Sequence, residues 1–185
     1  HLLANVHTRI GLILGNRGIY TTEKRYEGYL RALNAKDVEP QDDLLIYSDY
    51  TMEGGYNSTT RLLSLDPPPS AIFVTNYEMT IGTILALNES RVAIPDDISL
   101  IGFDKLDLFS AIYRNLALVK QPQTSIGEMV AKQLLSMLAG GPDANNQNST
   151  IMLTSQLFTG ETVKPYHGVG QGVGQDEAPG VLQKN

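Results

Sequence analysis

The sequence predicts an α/β protein built on a parallel sheet, and three observations carry that expectation. Strand-like runs alternate along the chain with segments of helical period; the strand-like runs are continuously apolar; and the segments joining them are roughly 10–15 residues long. Strands that are apolar on both sides suit a sheet covered by helices on both faces.

The predicted strands are residues 9–14, 43–47, 71–75, 98–103 and 116–120, with helices over 22–35, 53–64, 78–90 and 105–113. The opening stretch, "HLLANVHTRIGLILG", reads as the last turn of a helix followed at once by the first strand, so the natural protein is expected to begin further upstream. "SIGEMVAKQLLSMLAGGP" sets Ile126, Met129, Val130, Leu134, Leu135 and Leu138 at helical spacing and stops at Gly140, Gly141 and Pro142. A polar loop, "DANNQNST", then leads to a strand over 151–158, "IMLTSQLF". From Tyr166 the chain is glycine-rich and poor in large apolar residues, so 166–185 is expected to be a disordered tail after a domain of 1–165.

Composition excludes several classes. The 185 residues are 42% hydrophobic, enough for one ordinary domain with a core. A net charge of −6 argues against this chain itself gripping a phosphate backbone. With no cysteine, disulfides, thiolate metal sites and cysteine nucleophiles are ruled out. No apolar run reaches the ~20 residues that cross a bilayer. The sequons at Asn57, Asn88 and Asn148 are of a kind that chance supplies. "GVGQGVG" lacks the G-x-G-x-x-G spacing and its strand–helix setting, and no phosphate-loop, zinc-protease or nucleophile-elbow motif occurs. His1, His7 and His167 stand apart from one another and from acids, so neither a metal nor a cofactor is expected.

In an open parallel sheet, ligands bind beyond the carboxyl ends of the strands. After the first strand, "GNRGIYTTEKRYEGYLRAL" offers Thr21 or Thr22 as a helix cap and Arg25 in the first turn, where a cation opposes the helix dipole. Arg25 is either a solvated side chain or a fork of donors for hydroxyls or a carboxylate. After the second strand, Tyr50 either stacks on a ligand ring or packs over the sheet edge, and Asp49 caps the next turn. Asn76 caps the helix after the third strand and can turn a group towards a ligand. Asp104, ending "SLIGFD", either caps the next helix with help from Asp107 or joins Arg25 in clasping adjacent hydroxyls. "IPDD", residues 94–97, falls at the opposite edge and reads as turn chemistry.

Residues 69–122, "PSAIFVTNYEMTIGTILALNESRVAIPDDISLIGFDKLDLFSAIYRNLALVKQP", resemble the effector-binding region of the lactose-repressor/galactose-repressor family of bacterial transcription regulators. "VHTRIGLILG", "EKRYEGYLRAL" and "SIGEMVAKQLLSML" resemble the same family in the same order, so coverage runs to about Pro165. The resemblance implies a periplasmic-binding-protein-like fold of two subdomains, of which this chain holds the C-terminal one. Residues 122–140 would then pack against the other. It makes Arg25 the effector-binding arginine, Asp104 the hydroxyl-binding aspartate, Tyr50 the stacking aromatic, Asn76 the asparagine of N-D-x-M, and Gln121 the residue where the chain crosses between subdomains. It also implies a small effector, usually a sugar, a homodimer with Ile81 and Ile112 at its interface, and cytoplasmic action on operator DNA through a helix-turn-helix outside this chain. No enzymatic activity is expected. Two positions depart from the family pattern: Tyr77 replaces an acid in "NYEM", and Val6 replaces the glycine before the first strand. The rival readings are a sugar-binding transport protein of the same fold, and an α/β enzyme with Asp104 as general base.

Overall fold

The computed structural model describes residues 1–104, 115–139 and 150–168. Its strands are β1 (Ile10–Leu14), β2 (Leu45–Tyr47), β3 (Ala71–Val74), β4 (Ser99–Phe103), β5 (Ala117–Lys120) and β6 (Gln156–Phe158). Its helices are α1 (Tyr20–Asn34), α2 (Met52–Leu63), α3 (Tyr77–Glu89) and α4 (Gln123–Leu138), with single 3-10 turns at Leu3–Asn5 and Asp42–Leu44. The helix expected over 105–113, with Ile112 and Asp107, lies outside the described residues, as do the stop at 140–142 and residues 169–185 of the tail expected over 166–185.

The sheet runs β2-β1-β3-β4-β5-β6, parallel throughout except where β6 pairs antiparallel with β5. This is the α/β architecture that the continuous apolar runs predict. Strand alternation sends Ile13, Ile72, Val74, Leu100 and Leu118 to one face, where they pack with Leu62 of α2 and Met79, Ile84 and Leu87 of α3. Ile10, Ala71, Ile101 and Ala117 face the other side, with Tyr29 of α1, Phe73 and Val119 against them. Right-handed crossovers account for the division, since the chain moves one way across the sheet through α1 and the other way through α2 and α3.

Helices α2 and α3 meet backbone to backbone. A Cβ on Gly82 would stand 1.9 Å from the Met52 carbonyl oxygen, and one on Gly55 2.2 Å from that of Met79, so only glycine admits this approach. Ile81 is partly buried against the same core. The Thr51 side chain accepts the Gly54 N–H and caps α2, and Asn76 accepts the Met79 N–H at 3.1 Å and caps α3. Tyr77 therefore leaves the cap intact; its hydroxyl donates to Glu78 at 3.0 Å.

Two expectations are corrected. Helix α1 starts at Tyr20, after an extended Ile19 with no side-chain cap, so neither Thr21 nor Thr22 is the cap and Arg25 falls in the second turn. The Glu23 carboxylate, three residues into the helix, takes the Gly18 N–H at 3.0 Å, which puts an acid where the dipole favours one. Only 156–158 of the strand expected over 151–158 forms. Ile151, Met152 and Leu153 instead line a shallow groove with Ile126, Met129 and Val130 of α4.

The first residues end a helical turn, as the sequence suggests. The Asn5 N–H reaches His1 O, and the Val6 and His7 N–H groups turn back to Leu3 O and Leu2 O, each at 3.1 Å. Val6 closes this turn with φ 66°, the left-handed region that β-branched side chains avoid. After β6 the chain folds back over the amino ends of β4 and β5, a course that no motif in the sequence signals. Thr162, fully buried, donates to Leu100 O at 2.7 Å and accepts the Ala117 N–H at 2.8 Å. Lys164 offers its carbonyl to His7 Nε2 at 2.9 Å and its ammonium to Asp96 at 3.0 Å, and the Tyr166 N–H donates to Asn5 O. His7 is buried, with Nδ1 2.9 Å from the Ser70 hydroxyl and its ring stacked on Tyr166. At the same edge Asp97 accepts the Ala93 N–H at 2.7 Å, the turn role expected of "IPDD".

Val6→Gly removes a left-handed strain at an exposed site and is expected to raise unfolding free energy by about 0.5–1 kcal/mol in urea titrations. Burial lowers the His7 pKa below its ordinary 6.5, partly offset by the bond to Lys164. The unfolded chain then binds the proton more readily. The stability that His7 contributes is complete above pH 6.5 and is lost as pH falls through the lower folded value. Melting temperatures between pH 7.5 and 5 should drop, and His7→Gln should flatten the decline.

Candidate functional site

Tyr50, Asn76, Asp104 and Gln121 lie just beyond the carboxyl ends of β2, β3, β4 and β5, and Arg25 lies in the second turn of α1, the helix that follows β1. The strand order reverses direction at β1, which is where such sheets open a crevice.

Arg25 is the best-anchored of the five. Its guanidinium lies over the Phe103 ring, 4.0 Å from the centroid, and Nη1 donates to Thr75 O at 2.7 Å. Burial presses its pKa down, while the charge of Asp104 and the proximity of Tyr50 push it back. An arginine stays protonated against shifts of this kind. Asp104 takes φ 64° and donates its N–H to Val119 O at 2.8 Å. Its Oδ1 accepts from Gln121 Nε2 at 2.7 Å. Arg25 and Asp104 do not form an ion pair with each other or with any other described residue.

Tyr50 also adopts a left-handed backbone, φ 66°, rare for a bulky side chain. Its ring lies flat against the backbone of Gly15, where a Cβ would come within 1.9 Å of Cζ. Its hydroxyl meets that of Thr22, which is fully buried. Of the two roles left open for Tyr50, packing is the one these contacts describe. Asn76 spends its side-chain oxygen on the α3 cap. Asp49 accepts from Thr51 N and Oγ1 at 3.0 and 2.7 Å, the turn-capping role expected of it, and these donors hold its carboxyl below the usual value.

The structure thus brings Arg25, Asp104 and Gln121 into one polar group with Tyr50 beside it, and adds Phe103, Thr75, Thr22 and Gly15. Period-2 alternation along "SLIGFD" was the available signal for Phe103, since it sets that ring on the α1 side. Behind the group, an apolar hollow of about 380 Å³ runs along that face past Tyr29, Phe73, Ile101 and Val119 to Leu2, with Arg25 and Phe103 among its lining. Among the described residues no cluster of His, Asp or Glu could hold a metal ion, and no helix is long and apolar enough to cross a membrane.

An α/β sheet with a polar group at its switch-point edge defines a ligand-binding domain, and comparison with known proteins agrees. The family of periplasmic binding protein-like domains matches residues 1–163. The "Probable HTH-type transcriptional repressor ExuR" of Bacillus subtilis is 34% identical over 139 residues, 75% of this chain and 42% of its own length. The "HTH-type transcriptional repressor PurR" of Mannheimia succiniciproducens is 31% identical over 164 residues, 89% of this chain and 48% of its own. The chain therefore spans less than half the length of these two relatives. Among solved structures, the Escherichia coli transcriptional repressor ascG superposes with a TM-score of 0.75 at 26% identity, covering 88% of this chain and 58% of that one. A sugar-binding transcriptional regulator of the LacI family from Escherichia coli, complexed with phosphate, gives 0.77 at 26%, covering 89% and 58%. The chain belongs to the periplasmic binding protein-like domain family, within the effector-binding region of the lactose-repressor/galactose-repressor (LacI/GalR) regulators. Its named relatives are repressors and not enzymes.

Gly15→Ala forces the Tyr50 ring off the strand end and is expected to cost about 1–3 kcal/mol in chemical denaturation. Adding Tyr50→Ala should then cost less than it does alone, because the clashing ring is gone.

Proposed function

We propose that this chain is the effector-sensing part of a bacterial transcriptional repressor that recognises operator DNA through a helix-turn-helix outside the sequence described. The observation that carries the reading is the arrangement of Arg25, Asp104 and Gln121, opposite charges held near each other yet not paired. A guanidinium that donates and a carboxylate that accepts suit a ligand with adjacent hydroxyls. A sugar is the effector class that fits, and the structural neighbour described as a sugar-binding regulator supports it. Tyr50 would border the ligand through its ring edge, and Asn76 through its amide nitrogen.

Helix α4 supports a two-subdomain arrangement. It has no buried residue, and Val130, Leu135 and Leu138 are 62%, 66% and 76% exposed. An apolar stripe of that extent calls for a covering surface, which a second subdomain would supply over residues 122–140. Gln121 joins this helix to the Asp104 carboxylate, so a ligand there would favour one disposition of the two subdomains and pass that preference to the DNA-binding heads. The protein would act in the cytoplasm as a homodimer. Ile81, partly buried against the core, would reach the dimer contact with Ile112. The repressor relatives favour this over a transport protein, whose full-length gene would encode an export signal in place of a helix-turn-helix.

A ligand that touches only this half loses the stabilisation that closure provides. Calorimetry with a panel of neutral and acidic sugars is expected to give dissociation constants of about 1 mM or weaker for one of them, with heat abolished by Arg25→Ala and by Asp104→Asn. Micromolar binding by the isolated chain would contradict the need for a second subdomain. Binding untouched by both substitutions would overturn the site.

A further inference from the structure

We infer that Phe103 is a positioning residue that holds the Arg25 guanidinium away from the Asp104 carboxylate, keeping both charges free for a ligand. The inference deepens the proposed ligand site and rests on that reading for its functional meaning.

Arg25 and Asp104 carry opposite charges and are close enough for Asp104 to raise the arginine's pKa. Left to electrostatics, a long flexible arginine would collapse onto the carboxylate as a bidentate pair. That pair is absent, and two contacts explain why. The Phe103 ring, at the end of β4 and only 8% exposed, takes one face of the guanidinium at 4.0 Å. Thr75 O takes Nη1 at 2.7 Å, and that residue is itself fixed because its N–H and Oγ1 both donate to Ile13 O, at 3.0 and 2.9 Å. A ring and a carbonyl together define the guanidinium plane. A planar fork held in this way suits two oxygens in one plane, as in a vicinal diol or a carboxylate.

Successive residues of one strand end thus do opposite work. Alternation puts Phe103 on the α1 face under the arginine, and the left-handed turn at Asp104 swings its carboxylate to Gln121. Removing the ring leaves Thr75 O alone against the pull of the carboxylate.

The test reads the Asp104 carboxyl directly and needs no effector. Carboxyl carbon signals of aspartate-labelled protein are titrated by NMR, with Asp104 assigned from the Asp104→Asn spectrum. In Phe103→Leu the Asp104 midpoint is expected to fall by about one pH unit relative to wild type, because a paired carboxylate holds its proton less tightly. Phe103→Tyr, which keeps the ring, should match wild type, and Phe103→Leu with Arg25→Gln should abolish the fall. Circular dichroism checks folding, and Phe103→Met takes the same titration if the leucine variant does not fold. A wild-type midpoint in the folded ring-less variant overturns the inference, as does a fall that persists without Arg25. Failure to bind any sugar would instead overturn the ligand reading and leave this result standing.

Discussion

The handedness of strand crossovers governs this molecule. Because each parallel connection must turn the same way, leaving β1 leftwards to β2 places α1 on one face, and returning rightwards places α2 and α3 on the other. One face is thereby packed densely enough for helix backbones to touch through Gly55 and Gly82. The opposite face carries α1 and a hollow beside it. The same reversal parts the loops at the carboxyl edge, and the charged group stands at that parting.

Much of the architecture was legible because a parallel sheet writes itself in a simple code. β1 and β4 are buried at every position, and each appears in the sequence as a run without charges, apolar or small apart from Ser99 of β4. The positions following those runs were legible for the same reason, since topology alone assigns them to one rim. What escaped was whatever depends on contacts between distant parts of the chain. Threonine commonly caps helices, so local rules offer Thr21 or Thr22 as the cap, yet the Thr22 hydroxyl answers to Tyr50, 28 positions away. Thr162 sits in an unremarkable polar segment, and its burial depends on two backbone groups of β4 and β5. No local pattern encodes such partners.

Local rules also yielded where the fold demanded it. Val6, Tyr50 and Asp104 all adopt left-handed backbones that glycine would take without strain. At Val6 the residue only ends a turn. At Tyr50 and Asp104 the unusual backbone sits on the edge where the polar group gathers, and strain of this kind persists where surrounding contacts over-determine it. Tyr50 has Gly15 beneath it and Thr22 at its tip; Asp104 has Val119 and Gln121.

The return of residues 160–166 to the amino edge brings the two extremities of the unit together, with Tyr166 bonded to Asn5 and Lys164 to His7. A unit whose entry and exit are neighbours can be spliced into a host chain, or rejoined by a short peptide and reopened elsewhere, with little disturbance to its interior. It also closes its sheet late, because Thr162, the side chain that joins β4 to β5, follows all six strands along the chain.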